Sequence, residues 1–171
     1  WVDQSGTPQV TNGINHEGRS GWSLETYFTE PTGNAFWDGS TFNFLGYMTA
    51  TGFTFGANDW FIINLGINDL YGASRLDNTL DVDTKIATMK TRINDIISQV
   101  HSYNSNIKIG IVQTFPPAIS QDATGNLLNS AIYSNEYYVK KGLKKWWEYL
   151  LDKYDNQDAN DAKTYLIPAT T

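Results

Sequence analysis

"FIINLGINDL", Phe61 to Leu70, decides the fold. An apolar run rich in isoleucine enters a turn at Gly66 and delivers an amide and a carboxylate, Asn68 and Asp69, side by side. An apolar run bounded by a turn reads as a buried strand, here Trp60 to Leu65. Parallel α/β sheets gather their chemistry at the carboxyl ends of strands, and Gly66-Ile67-Asn68-Asp69 follows such an end. An Asn amide held there donates hydrogen bonds without carrying charge, which suits an oxyanion. Gly, Asn and Asp also favour turns, so on composition alone the block reads first as a plain turn, with Asp69 bracing it.

Working outward, helices and apolar strands alternate after residue 40, which predicts an α/β domain with a largely parallel sheet. Downstream of the block, Asp83 reads as an N-cap. Ile86, Met89, Ile93, Ile96, Ile97, Val100 and Tyr103 then recur at three- and four-residue steps, predicting a helix to about residue 104. "IKIGIVQTF", Ile107 to Phe115, is a second buried strand, stopped by Pro116-Pro117. Ile132 to Tyr154 carries the apolar spacing of a long helix, and "TYLIPA" is a third strand. Upstream, Ile14 to Glu17 reads as a very short strand. Ser23 caps a short helix through Phe28, ended by Pro31. "PTGNAFWDGST" is a surface loop folding back on the body, and Phe42 to Thr51 is a helix stopped by Gly52. Residues 1–171 make one domain.

Composition narrows the function. Charged residues are 18% and the formal net charge is −6, with no basic block to neutralise phosphates, so nucleic acid is not an expected partner. There are no cysteines and only two histidines, which excludes thiol chemistry, thiolate metal sites and a His-rich metal centre; no metal or organic cofactor is expected. No apolar run approaches the roughly 20 residues of a membrane span. Composition leaves the compartment open, with a secreted or periplasmic location as the expectation. Aromatics are 14%, a share that serves cores and also lines clefts for sugars or lipids.

"HEGRSGWS", His16 to Ser23, sharpens the first block. Here the chain passes two glycines and enters a helix. Glycines let a backbone N–H approach a ligand closely, and helix N-termini favour negative charge. A second oxyanion donor from this turn would complement Asn68. "EGRSGWS", followed by "FWDGSTFNFLGYM" and "FIINLGINDL", resembles the SGNH (GDSL-type) hydrolase superfamily, most closely its bacterial esterase-like members, from Gly6 to the last strand. The resemblance implies a three-layer α/β/α fold with a parallel flavodoxin-like sheet. It also implies ester hydrolysis through an acyl-enzyme, with the Gly21 backbone N–H and the Asn68 side chain as oxyanion-hole donors. Arg19, Trp22 and Trp37 are the candidate substrate contacts. Trp22 and Trp37 would stack on a sugar or acyl group or simply pack. Arg19 would meet an acidic group or pair with Glu17 or Glu25. Short acyl esters, including acetylated carbohydrate, are the implied substrates.

The resemblance is incomplete. The family's nucleophile lies in a Gly-Asp-Ser motif, and none occurs here; "DQSG" at Asp3 to Gly6 lacks a preceding apolar strand and a following helix. The family's base lies in an Asp-x-x-His block. His16 is preceded at that spacing by Gly13 and His101 by Ser98. Nucleophile and base are therefore not identifiable in this chain. The expectation is a portion of an active esterase, lacking its first strand and C-terminal segment, with another segment or chain completing the sheet. The family's first strand lies inside the sheet, and its loss leaves unpaired backbone groups. The opening Trp1 agrees with an excised piece. The alternative is a non-catalytic, degenerate hydrolase-fold module that binds glycan or serves in a surface or phage assembly. A flavodoxin-like binder is a third reading, for which no phosphate loop is found.

Overall fold

The computed structural model describes residues 17–19, 21–71, 79–113, 136–155 and 163–168. The expected strand at Ile14 to Glu17, apart from Glu17, and the Pro116-Pro117 stop lie outside them. The elements run α1 (Thr26–Thr29), α2 (Phe44–Thr51), β1 (Trp60–Ile63), α3 (Ile67–Tyr71), α4 (Thr79–Tyr103), β2 (Lys108–Val112), α5 (Glu136–Leu150), one π-helical turn (Leu151–Asp155) and β3 (Thr164–Ile167). The architecture is mixed α/β. The described sheet has the order β1-β2-β3 with every pair parallel, as alternating helices and strands predict.

Local chemistry sets the boundaries. The Asn43 side chain accepts the Gly46 N–H at 2.8 Å to start α2. Gly52 ends it at φ 65°, a conformation that costs a side-chain-bearing residue energy. Along α4, Val82, Ile86, Met89, Ile93, Ile96, Ile97 and Val100 are all buried, the stripe that the spacing predicts. The helix begins earlier than expected, because Val82 already belongs to that stripe. Asp83 is thus no N-cap; it lies one turn inside α4 and pairs with Lys145 of α5. The helix continues into a π-wound turn, and the Tyr149 hydroxyl (3.0 Å), the Lys153 ammonium (2.6 Å) and the Tyr154 hydroxyl (2.7 Å) all donate to Asn94 Oδ1 of α4.

The sheet has two unlike faces. Strand side chains alternate between faces, and register aligns Phe61 with Ile109 and Ile63 with Ile111. On that face Ile63, Ile109 and Ile111 are buried and join one core with α2, α4 and α5. Phe61 meets Phe44 of α2 edge-on at 5.4 Å. The opposite face carries Trp60 and Ile62, 43% and 50% exposed. Trp60 lies 5.2 Å from the Tyr165 ring. Gly110 sits on this face beneath Ile62 and Ile167, where an added Cβ would come within 2.7 Å and 2.6 Å of their methyl carbons. Among the described residues β1 has one strand neighbour, so its outer edge is unpaired there.

α3 is pinned from the other side by α5. Gly142 is buried, and a Cβ there would lie 2.8 Å from Leu70 Cδ2. Gly142→Ala must displace Leu70. The helix-propensity gain of about 1 kcal/mol is outweighed by overpacking of about 1–3 kcal/mol. The expected outcome is a lower denaturant midpoint with an unchanged slope; a raised midpoint would show that α3 and α5 separate freely.

Candidate functional site

The strand end is built by a glycine. Beyond Ile63 the chain reaches Gly66, buried with φ 125°, a region L side chains rarely enter. That bend starts α3 at once, so the expected turn is a short helix that presents Asn68 and Asp69 in its first turn. Asn68 Nδ2 donates to the Trp22 carbonyl at 2.9 Å. Asp69, 3% exposed, accepts the Leu24 N–H on Oδ2 at 2.9 Å and the Glu25 N–H on Oδ1 at 3.3 Å. Two consecutive side chains thereby hold three backbone groups of a segment more than forty residues away in sequence. Burial pushes the Asp69 carboxyl up, while the Leu24 and Glu25 N–H groups and Lys85 pull it down.

The held segment is a tight turn. Trp22 N–H donates to the Arg19 carbonyl at 3.4 Å, with Gly21 between them at φ 77°. A Cβ at Gly21 would touch nothing within 4 Å. Glycine is needed there for the backbone conformation, and the residue faces open space. Beyond the turn, the Ser23 hydroxyl accepts the Thr26 N–H at 3.1 Å, although the residue flanking α1 is Glu25, whose side chain makes no capping bond, rather than the expected Ser23.

Arg19 and Glu17 fasten the turn's upstream side. The Arg19 side chain is 3% exposed; it pairs with Glu17 at 3.3 Å and donates through Nε to the Gly33 carbonyl at 3.0 Å. Of the partners expected for Arg19, the geometry selects Glu17. Tyr47 of α2 donates its hydroxyl to the Glu17 carboxylate at 3.0 Å, and Tyr27 of α1 donates to the Glu17 carbonyl at 2.6 Å. Burial pushes the Tyr27 phenol up to about 12 against the opposing pull of Arg19, with a smaller push from Glu17, and burial with Glu17 raises that of Tyr47 as well. A phenol is protonated at neutral pH even at its ordinary value, so both act as donors there.

The structure thus brings Gly21, Trp22 and Asn68 to one end of the sheet. Trp22 is half-buried and packs edge-on against Tyr27 at 5.0 Å, with the Arg19 guanidinium 5.9 Å from its ring. Trp37 is half-buried on an antiparallel bridge to Phe42. Phe36 beside it belongs to the core at 5% exposure, so the aromatic-rich loop folds back as expected. His101 lies at the C-terminal end of α4, where its Nε2 contacts the Ile107 carbonyl at 3.1 Å. That is the amino end of β2, opposite the end bearing Asn68. His16 and Ser20 lie outside the described residues. Among the described residues no group of three His, Cys, Asp or Glu could hold a metal, and no helix is long and apolar enough to cross a membrane.

Sequence reasoning missed the tyrosine-glutamate anchor. Tyr27 and Tyr47 sit in an aromatic-rich stretch with nothing to distinguish them from core rings. It also missed that Glu25 takes Arg92 of α4, at 2.8 and 3.2 Å, where Arg92 also lies over the Phe28 ring at 4.5 Å. No family model, curated protein or solved structure matches the chain.

Two outcomes follow from these contacts. Asn68→Asp sets an acceptor against the Trp22 carbonyl, so the denaturant midpoint should fall by the equivalent of about 1–3 kcal/mol; an unchanged midpoint would mean that bond carries no weight. Arg92 holds the Glu25 carboxyl below its ordinary 4.5. The folded value is the depressed one, so the stabilisation is present above 4.5 and is lost as pH falls through the lowered value. Glu25→Gln should therefore cost on the order of 1 kcal/mol at neutral pH. The difference from the parent should shrink in acid below that range, in paired urea titrations.

Proposed function

We infer that this chain supplies the oxyanion-hole portion of an SGNH-type serine ester hydrolase. The observation that carries the reading is the Asn68 Nδ2 to Trp22 carbonyl bond at 2.9 Å. It supports the reading because its acceptor, the Trp22 carbonyl, belongs to the residue after Gly21, the other donor that the resemblance implies. A carboxamide nitrogen carries two hydrogens. Trp22 takes one and fixes the orientation, and the other serves an oxyanion together with the Gly21 N–H. Such donors act by being in place before charge develops, so that no reorganisation is needed during the reaction.

In this reading an ester carbonyl is attacked by a serine hydroxyl, and the negative oxygen of the tetrahedral intermediate rests between Gly21 and Asn68. A base takes the serine proton and returns it to the leaving alcohol; water then releases the acyl group by the same route. Nucleophile and base come from residues other than those described. Trp22 beside the donors offers a face to the acyl or sugar part of the substrate. Arg19 braces the turn through Glu17. Short carboxylic esters, including acetylated carbohydrate, are the substrate class, and no cofactor takes part. The edge of β1 left unpaired among the described residues, with Trp60 and Ile62 exposed on the adjoining face, supports a further strand and covering helix, from another segment or chain, that complete a three-layer α/β/α sheet.

The test is hydrolysis of short-chain p-nitrophenyl esters by the full-length protein. Asn68→Ala should lower kcat by about 10²–10³, the usual loss for one oxyanion donor. Unchanged kcat would remove Asn68 from the chemistry. Absence of turnover in the parent, with glycan affinity retained, would favour the non-catalytic module.

A further inference from the structure

The Asp69 carboxylate does more than fill a corner. It is 3% exposed, and each of its oxygens accepts a different backbone N–H: Leu24 at 2.9 Å and Glu25 at 3.3 Å. Those groups lie directly after the Trp22 carbonyl that Asn68 grips. We propose that Asp69 is a positioning residue for the oxyanion donors, its two carboxylate oxygens clamping the 24–25 backbone so that the Gly21 N–H and the Asn68 carboxamide share one point. The inference rests on the esterase reading.

The geometry separates this role from simple packing. Asparagine has the same shape as aspartate but only one acceptor oxygen. Whichever way the carboxamide of Asp69→Asn is turned, its NH₂ faces one of the two N–H donors. A residue that only filled volume would tolerate that exchange. A residue that held both amides would release one of them and let the turn swing. Small displacements of donors cost rate more than affinity, because the donors act mainly on the transition state. The loss should therefore fall on kcat.

The experiment is Asp69→Asn in the full-length protein, read two ways. By NMR, amide hydrogen exchange at Leu24 or Glu25 should speed up by about tenfold or more, while Ile109 and Ile111 in β2 keep their protection. In ester hydrolysis, kcat should fall by about tenfold or more, with KM changed by less than about threefold. Slow exchange retained at both amides overturns the proposal. So does faster exchange with kcat unchanged. If the parent hydrolyses no ester, the esterase reading falls, and the exchange arm alone decides whether Asp69 fixes the turn. Should the variant fail to fold, the unsubstituted protein decides: both amides must be protected, and exchange at the rate of free amides overturns the clamp.

Discussion

The hydrogen bonds from Asn68 and Asp69 to the backbone of residues 22 to 25 are the constraint on which the site depends. Without them the Trp22–Glu25 backbone would lose its three bonds to the end of β1. With them, the turn is registered against the end of β1. The arrangement is economical in sequence terms. A positive φ at Gly66 starts a helix immediately after the strand, and the first turn of that helix aims two neighbouring side chains at one distant segment. Gly142 lets α5 approach closely behind them, so that Leu70 and its helix cannot retreat.

A second set of contacts holds the turn from the other side. Glu17 binds Arg19 and accepts both tyrosines, tying the segment to α1 and α2. Both phenols are protonated at neutral pH even at their ordinary value, and burial moves them further from titration. Turn and strand end are thus each fixed to the helical layer, and the space in front of Gly21 is left open. On the proposed esterase reading, the Gly21 N–H and the second Asn68 amide hydrogen would be the donors set in place for a developing anion. The contrast between the sheet's faces fits the same picture: buried isoleucines back the site, while Trp60 and Ile62 look outward on the side where the proposed fold places another layer.

Much of this was legible in the sequence because it follows local rules. The Ile-rich run, the apolar stripe of α4 and the Gly52 stop are written in residue order, and all three appear where periodicity puts them. Asp83 misled because capping preference is local. An Asp before an apolar stripe looks like an N-cap, yet Val82 extends the stripe backwards and leaves Asp83 to pair across to Lys145. The family resemblance paired Asn68 with Gly21, and the bond from Asn68 to the Trp22 carbonyl had no signal, since neither residue's neighbours announce a contact over 46 positions. The Glu17–Tyr47 bond had no signal at all: a Tyr on a short helix reads as core, and only the fold brings its hydroxyl to Glu17. Arg19 was open to several partners, and its burial beside Glu17 decides among them.

The central claim is that the 19–22 turn and the end of β1 form one rigid unit. It is tested most directly by nuclear Overhauser contacts in the labelled protein, between the Asn68 side-chain amide protons and the backbone amide protons of Gly21 and Trp22. The account predicts cross-peaks from Asn68 to this turn, with its two amide protons well separated in shift because one is bonded to the Trp22 carbonyl. Degenerate, solvent-like Asn68 amide signals with no contact to residues 21 and 22 would contradict it.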